Sequence, residues 1–326
     1  MTPGGSLRAA AVQLEGRMAD VRYNIAQAGD LTERALREGA QIVALPEFFT
    51  TPIIYDERLY GCALLPDNPA LEMMTQLASR YGAAIGGSYL ELRGEDVFNT
   101  YVLVDRDGSV HRHHKDQPTM VENAFYIGGR DEGLAQTTLG NVGMAVCWET
   151  IRTRTVHRLA GQTDVLMTGS HWWSEPGWRF PRAVWDWLDR YNSALMARTP
   201  GLFAQLVGAP NLHAAHCGTI EGRLLLTSRS GIGSRTHLMG ETQICDGAGT
   251  ILARRQALEG PGIVTATIVP GRRTPGAVPE RFWIDRLPLI FRAVWAHQNA
   301  VGRRAYDRAK AGNRIRPFDW TRNAPL

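Results

Sequence analysis

Three side chains of this sequence have the chemical types that acyl transfer through a thiol requires. Glu47, Lys115 and Cys147 each come at or just beyond the end of a segment that predicts a β-strand. We therefore expect them to lie along one rim of a sheet. A thiol nucleophile, a carboxylate base and a fixed ammonium can together form and break a thioester.

Cys147 is the candidate nucleophile. The apolar run 142–146 predicts a buried strand before it, and a helical pattern over 151–159 follows it. A thiol at a strand-to-helix turn is exposed to substrate and lies near the N–H groups of a helix N-terminus, which predicts a lowered pKa. The alternative is an inert, buried cysteine.

Glu47 and Lys115 are the candidate base and the candidate cation. Glu47 lies among Pro46, Phe48 and Phe49, and such a low-dielectric setting raises the pKa of a carboxyl and suits it to general-base work. A solvated loop glutamate is the alternative. The 36 basic residues include only two lysines, so a lysine at 115 indicates a place where a compact ammonium is needed.

Composition limits the other function classes. The 326 residues contain no secretory signal and no run long enough to cross a bilayer, which predicts a soluble, cytoplasmic protein. The four cysteines form no CxxC pair, so neither a zinc site nor a disulfide framework is predicted. His111, His113 and His114 are interpreted as strand residues rather than metal ligands. The absence of a GxGxxG or phosphate loop argues against a nucleotide cofactor.

The carboxyl-terminal part, residues 272–326, carries an excess of arginine. Its arginines alternate with aromatic and aliphatic residues, a pattern typical of a packed arm rather than a solvated tail, so nucleic-acid binding is not predicted. The arm could pack on its own subunit or exchange across an interface. We expect two units, a domain over 1–271 and this arm over 272–326.

The pattern of apolar residues predicts a mixed α/β fold. Predicted strands are 7–13, 41–45, 83–91, 98–104, 109–114, 164–168, 204–209, 240–245, 251–254 and 263–269. Predicted helices are 20–38, 68–81, 151–159 and 181–198. The Gly- and Ser-rich segment 218–233 is predicted to be a surface loop.

The chain resembles the nitrilase superfamily of carbon–nitrogen hydrolases over roughly residues 7–270. The resemblance depends on Leu-Pro-Glu-Phe at 45–48, on His-Lys-Asp-Gln-Pro-Thr-Met-Val-Glu at 114–122 and on Val-Cys-Trp-Glu at 146–149. The three motifs occur in the family's order and at compatible spacing. Together they are far more specific than any one of them alone.

The resemblance implies a four-layer αββα sandwich that associates into dimers or larger assemblies. It implies a Glu47–Lys115–Cys147 triad, with Glu122 matching the family's second glutamate. By analogy, Lys115 and the backbone N–H of Trp148 would hold the oxyanion. No cofactor and no metal are implied.

The substrate class implied is a small nitrile or amide, from which ammonia or an amine is released. The motifs at 115–122 and 147–149 resemble the nitrile-hydrolysing branch, but Asn123 and Thr150 stand where nitrilases usually carry Arg and Asn. The segment 45–50 is closer to amidases and carbamoylases. An N-carbamoyl amino acid amidohydrolase, an acyltransferase, a glutaminase that supplies ammonia to a partner and a non-catalytic binding protein are alternatives.

Aromatic residues predict the character of the substrate pocket. Several of them follow the predicted central strands, and they favour an apolar or aromatic acyl group. The candidate pocket residues are Tyr55, Phe125, Trp148, His171, Trp172, Trp173 and Trp178.

Overall fold

The computed structural model describes residues 5–175 and 182–321. These residues form fourteen strands and five α-helices. The strands are β1 (Leu7–Leu14), β2 (Ile42–Ala44), β3 (Ala84–Arg93), β4 (Asp96–Val104), β5 (Val110–His114), β6 (Leu134–Thr137), β7 (Gly140–Val146), β8 (Val165–Ser170), β9 (Asn211–His216), β10 (Thr219–Leu225), β11 (Gly231–His237), β12 (Gly240–Cys245), β13 (Ile251–Gln256) and β14 (Gly262–Ile268). The helices are α1 (Val21–Arg37), α2 (Pro69–Tyr81), α3 (Thr153–Leu159), α4 (Arg182–Val207) and α5 (Leu289–Ala311).

Two half-sheets meet along β1 and β9. One half runs β5-β4-β3-β2-β1 and adds β14 on β1, and the other runs β6-β7-β8-β9 and adds β12 and β13. The junction is short, because β1 and β9 pair only at Gln13 with Ala215 and at Leu14 with His216. The two halves are therefore free to fold over each other as the two inner layers of a sandwich.

Side-chain alternation along the strands creates the layers. On β1, Ala10 and Val12 join the core beneath α1 and α2, whereas Ala9 and Ala11 join the core between the two half-sheets. Successive strand residues point to opposite faces, so one strand contributes to both cores. The apolar run Ala9–Val12 in the middle of β1 is the consequence.

The second half-sheet is covered in the same way. Ala145 of β7 and Leu166 of β8 pack against α3 and α4, and their neighbours on each strand face the central core. The order of layers is helices, sheet, sheet, helices. The four-layer αββα sandwich is thereby confirmed.

Helix caps explain the predicted boundaries that are confirmed. Asp20 caps α1 by accepting from the N–H of Tyr23 at 3.3 Å. Asn68 caps α2 by accepting from the N–H of Ala70 at 2.9 Å, and Pro69 occupies the first helical position.

Two expected elements are wrong. The strand expected at 204–209 is mostly the end of α4, which continues to Val207, and the strand follows at β9. A short apolar run looks the same in a buried helix as in a buried strand. The segment 218–233, expected to be loop, contains β10 and the start of β11, which form an antiparallel hairpin. Its glycines and serines conceal the alternation of a strand.

The helices expected at 151–159 and 181–198 also need new boundaries. A 3₁₀ turn, Cys147–Ile151, comes first, and α3 begins only at Thr153. Pro181 lies outside the described residues, and α4 runs from Arg182 past the expected end.

The arm returns to the domain through α5. Asn123 Nδ2 donates to Asn299 Oδ1 of α5 at 2.9 Å, and the hydroxyl of Tyr306 accepts from the N–H of Val97 at 3.0 Å. A side chain at Gly302 would collide with Asn123, so α5 lies closely against the 3₁₀ turn Met120–Ala124. The division at 271/272 stays a prediction. No helix among the described residues has the length and apolar character needed to cross a membrane.

Candidate active site

The sandwich brings the three predicted site residues together at the ends of strands. Glu47 follows β2, Lys115 directly follows β5 and Cys147 directly follows β7. Lys115 Nζ donates to Glu47 Oε1 at 2.8 Å and to Glu122 Oε2 at 2.7 Å. The Cys147 sulfur and an oxygen from each glutamate lie within 4.8 Å of one another. All four side chains are buried.

The backbone is strained at each of the three loops that carry these residues. Phe48, Met120 and Cys147 have φ angles of +53°, +52° and +52°. A residue with a Cβ pays for this left-handed conformation, and it persists only where the surroundings enforce it. At Cys147 the turn aims the thiol away from the path of β7 and toward Glu47.

Three further groups fix the Glu47 carboxylate and its backbone. Asn99 Nδ2 donates to Oε1 at 2.8 Å, and the backbone N–H of His171 donates to Oε2 at 2.9 Å. The His216 ring Nε2 hydrogen-bonds with the carbonyl of Glu47 at 2.8 Å. The carboxylate is therefore held in one orientation.

Glu122 is held from one side only. Its Oε2 accepts from Lys115, from the N–H of Thr119 at 3.0 Å and from the hydroxyl of Tyr126. Its Oε1 accepts no hydrogen bond from the described residues, although it is buried. A buried acceptor left open in this way is available to water or to a substrate N–H.

The cluster is electrostatically tuned for proton transfer. Burial raises the pKa of Glu47 to about 7, even though Lys115 lowers it. Burial opposes the charge of Lys115, but Glu122 and Glu47 hold its pKa well above the usual range. Glu47 is thus a base poised near neutrality, next to a permanent cation.

The expected lowering of the Cys147 pKa is wrong. Burial, followed by the nearby Glu47 carboxylate, raises the pKa of this thiol well above its usual range. We expected the N-terminus of a helix to stabilise a thiolate here, but α3 begins only at Thr153, six residues after Cys147. At neutral pH the Cys147 side chain is therefore a thiol rather than a preformed thiolate, and its deprotonation requires a base.

Judged by distance alone, Glu47, Glu122 and Cys147 lie close enough together to bind one metal ion. However, Lys115 Nζ already lies between the two carboxylates, at 2.8 and 2.7 Å. A divalent cation beside this ammonium would be repelled, and its best oxygen ligands are engaged. The side chains suit acid–base chemistry better than coordination.

A second buried network ties the Cys147 loop to the Lys115 loop. Glu149 Oε2 accepts from the N–H of Val146 at 2.7 Å, and its Oε1 accepts from the N–H of Asp116 at 3.0 Å. His113 Nε2 lies 3.0 Å from Glu149 Oε2, and its Nδ1 contacts Asp131 Oδ1 at 2.5 Å. Burial disfavours the charged ring, but the two carboxylates raise the pKa of His113 to about 9. We call Glu149, His113 and Asp131 the clamp.

An aromatic cavity of about 150 Å³ adjoins the cluster. Its inner wall is formed by chain neighbours of the clustered residues: Met120 and Val121 precede Glu122, and Trp148 follows Cys147. The amino-terminal part of α4, the β10–β11 hairpin and α5 close it from outside. The other aromatic lining residues are Trp172, Trp173, Trp185 and Phe291.

Some of the predicted pocket residues line the cavity, and others are buried elsewhere. Trp172 and Trp173 line the cavity. Tyr55 and Phe125 are buried against each other, with ring centroids 5.8 Å apart, and His171 lies beneath Glu47 in edge contact with Phe48. Trp178 lies outside the described residues. The binding roles of all these residues stay predictions, as does that of the Trp148 N–H in the oxyanion site.

Several residues of the site had no identifiable signal in the sequence. Asn99 lies within β4, and Tyr126 follows the Glu122 turn without a motif of its own. Glu175 lines the cavity, and Asn192 beside it donates to Glu175 Oε1 at 3.3 Å. The aromatic run 171–173 indicated this region, but a following glutamate is most often solvated.

The family model for carbon–nitrogen hydrolases matches residues 8–275. A bromoxynil-specific nitrilase from Klebsiella pneumoniae subsp. ozaenae is 27% identical over 235 residues, 64% of each chain. An N-carbamoylputrescine amidase from Solanum lycopersicum is 28% identical over 141 residues, 40% of this chain and 47% of the other. The chain thus spans about half to two thirds of the length of these relatives.

Solved structures share the fold. A carbon–nitrogen hydrolase superfamily protein from Xanthomonas campestris, solved with an arsenic adduct in its active site, superposes with a TM-score of 0.62. It is 22% identical, and the match covers 81% of this chain and 91% of the other. This likeness concerns the architecture.

Proposed function

The chain belongs to the carbon–nitrogen hydrolase family of the nitrilase superfamily, and from that premise we propose that it hydrolyses a small nitrile or amide through a covalent Cys147 intermediate. One observation carries the proposal. Lys115 is hydrogen-bonded to both Glu47 and Glu122, and the Cys147 thiol lies within 4.8 Å of both carboxylates, next to an aromatic cavity.

The first step forms the bond from sulfur to carbon. Glu47, whose carboxylate lies within 4.8 Å of the Cys147 sulfur, takes the thiol proton as the sulfur attacks the amide or nitrile carbon. An amide gives a tetrahedral oxyanion, and a nitrile gives a thioimidate once its nitrogen is protonated. The pKa of about 7 lets Glu47 accept this proton and later return it.

Lys115 stabilises the developing negative charge. Its ammonium has three N–H donors, of which two serve Glu47 and Glu122, so the third is available to the substrate. With the N–H of Trp148 it forms the proposed oxyanion site. Loss of one such donor typically costs a factor of about 10² to 10³ in rate.

Water completes the reaction. From an amide, Glu47 protonates the leaving nitrogen, ammonia or an amine departs, and a thioester remains. Glu47 then takes a proton from water, the oxygen attacks the thioester, and the acid leaves as Cys147 regains its proton. A thioimidate first adds one water and expels ammonia. Glu122, with its open Oε1, orients the water.

A panel of substrates tests the proposal. Ammonia release would be measured with aromatic and aliphatic nitriles, the matching amides and N-carbamoyl amino acids, each with wild type and with Cys147→Ala. Acid formation from nitriles or amides that depends on Cys147 supports the proposal. Turnover of carbamoyl compounds alone would indicate an N-carbamoyl amino acid amidohydrolase instead. Transfer of the acyl group to added amines, without formation of the acid, would indicate an acyltransferase.

Two wider properties are also proposed. All four cysteines are free and buried, which suits a reducing compartment and supports a cytoplasmic location. Exposed apolar side chains on α4 and α5, among them Trp187 and Leu289, favour a homo-oligomer. Light scattering of the purified chain measures the second property directly.

A further inference from the structure

Glu175 is a carboxylate in a mostly aromatic and aliphatic cavity, whose lining also includes Arg223 and several neutral polar side chains. Its side chain lines the cavity, and Asn192 Nδ2 donates to its Oε1 at 3.3 Å. Asn192 is itself fixed, since its Oδ1 accepts from Trp172 Nε1 at 2.7 Å and its Nδ2 also donates to the carbonyl of Trp173 at 2.9 Å. The carboxylate is thus held against two tryptophans of the cavity wall.

The charge of Glu175 is not neutralised by the described residues. Burial raises its pKa to about 7, and the one described charge that acts on it is another carboxylate, Asp189. Arg223 lines the same cavity, but its guanidinium lies over the ring of Tyr55, 5.2 Å from the centroid. A half-buried carboxylate of this kind, with no described cation acting on it, gains from a cation supplied by a ligand.

The aromatic wall suits the same ligand. Trp172 and Trp173 come shortly before Glu175 in the sequence and line the same cavity, and Trp148 lies beside Trp172 with ring centroids 5.9 Å apart. Indole faces attract ammonium groups, and the attraction strengthens when water is excluded. A carboxylate in a cavity lined by tryptophans suits an organic ammonium better than a neutral alkyl end.

We propose that Glu175 is a specificity residue, and that the substrates are nitriles or amides carrying an ammonium group at the end remote from the reacting carbon. This inference rests on the proposed function and narrows its substrate class. It changes the expectation from the aromatic residues alone, which favoured an uncharged acyl group.

The chain limits the length of such a substrate. The N–H of His171 contacts Glu47, and Glu175 follows four residues later. Four residues span at most about 14 Å when extended. The backbone of Glu175 therefore lies within about that distance of His171, which fits a short aliphatic or monocyclic substrate.

Matched substrate pairs test the proposal. Hexanamide and hexanenitrile would each be compared with the analogue in which an ammonium replaces the terminal methyl, using wild type, Glu175→Gln and the exposed control Glu132→Gln. Wild type and Glu132→Gln should prefer the ammonium compound. Glu175→Gln should raise KM for that compound roughly ten- to a hundredfold, leave kcat near wild type and leave the neutral compound unaffected. Equal turnover of both members of a pair by wild type, or an unchanged preference in Glu175→Gln, would overturn the proposal.

A binding measurement separates this inference from the proposed function. Pentylamine, which cannot react, would be titrated calorimetrically into wild type, Cys147→Ala and Glu175→Gln, with pentanol as the neutral probe. Binding of pentylamine to the first two proteins, and roughly ten- to a hundredfold weaker binding to Glu175→Gln, supports the ammonium site even if no substrate is turned over. Equal binding by all three refutes it, even if nitriles or amides are hydrolysed.

Discussion

Two buried charge clusters lie side by side in this protein, and they differ in how completely they are hydrogen-bonded. The clamp, Glu149 with His113 and Asp131, has donors on both oxygens of its central carboxylate. In the reaction cluster, Glu122 keeps one oxygen without a donor from the described residues. Satisfied buried networks rigidify a fold, whereas an open one retains the capacity to bind and react.

The two clusters use neighbouring positions in the chain. His113 lies two residues before Lys115, and Glu149 lies two residues after Cys147. The clamp fixes the Lys115 and Cys147 loops through their backbone N–H groups. The comparison teaches that a shift of two residues separates support from proposed chemistry, and substitutions in each cluster should have different consequences.

The largest expected effect is that of Cys147→Ala. Removal of the nucleophile should lower kcat by about 10⁴-fold or more while the melting temperature stays close to wild type, because no supporting bond is lost. Cys62, which is also fully buried, provides the matched control: Cys62→Ala should retain turnover. Steady-state kinetics and thermal melting measure both. Substantial turnover by Cys147→Ala would remove the basis of the mechanism.

The two lysines provide the second test. Lys115→Arg should lower kcat by about 10² to 10³-fold, because a planar guanidinium cannot occupy the space between Glu47 and Glu122 and still reach the substrate. Lys310→Arg preserves an exposed pair with Asp96 and should change neither activity nor melting temperature noticeably. Similar kinetics for the two variants would show that Lys115 is merely structural.

Glu149→Gln should affect stability more than chemistry. The amide removes the charge that His113 faces, and breaking a buried pair typically costs about 3 kcal/mol or more of unfolding free energy. The activity per folded molecule should fall less than tenfold. Chemical denaturation compared with active-site-normalised kinetics would reveal this, with the exposed Glu132→Gln as the reference. A loss of rate as large as that of Lys115→Arg, at unchanged stability, would place Glu149 in the reaction itself.

The smallest effect is that of pH. Glu47 accepts the thiol proton only when ionised, and its pKa is about 7, so kcat/KM should fall about tenfold per pH unit below neutrality and level off above it. The clamp stays charged throughout this range. The pKa of His113 is raised to about 9 in the folded protein, so protonation of His113 stabilises the fold. This stabilisation is complete below the pKa that His113 has in the unfolded chain, and it is lost as the pH rises through 9. Glu149, with a lowered pKa, loses its contribution only in acid.

A pH profile of kcat/KM, recorded beside melting temperatures, checks this separation. Activity should decline from about pH 8 to about pH 6 without a matching loss of the clamp's contribution to stability. If activity and melting temperature declined together, protonation of Glu47 and protonation of the clamp would be one coupled event, and the separation would be refuted.

The sequence was sufficient for the fold class and for the grouping of Glu47, Lys115 and Cys147. Helical spacing after residue 20 and the Asn68-Pro69 pair marked two helices, and the strand ends before the three grouped residues implied a shared rim. These inferences succeed because periodicity and capping are local properties of the chain.

What the sequence could not provide depends on distant contacts. The run 204–209 belongs to α4 because the opposing core, not its own pattern, decides between helix and strand. The pKa of Cys147 rises because the thiol is enclosed by groups far apart in the chain. Glu175 faces a cavity that exists only once α4, α5 and the β10–β11 hairpin have closed around it.

The uneven use of lysine and arginine makes the protein selectively addressable. Of the two lysine side chains, Lys115 is sealed beside its glutamates, and Lys310, near the end of α5, is about one-third exposed. Reagents that modify side-chain amines under native conditions should therefore react at Lys310 in preference to Lys115. A fluorophore attached at Lys310 would report from the arm, and a linkage at Lys310 would immobilise the protein molecules in one orientation. Neither modification would touch the buried Lys115.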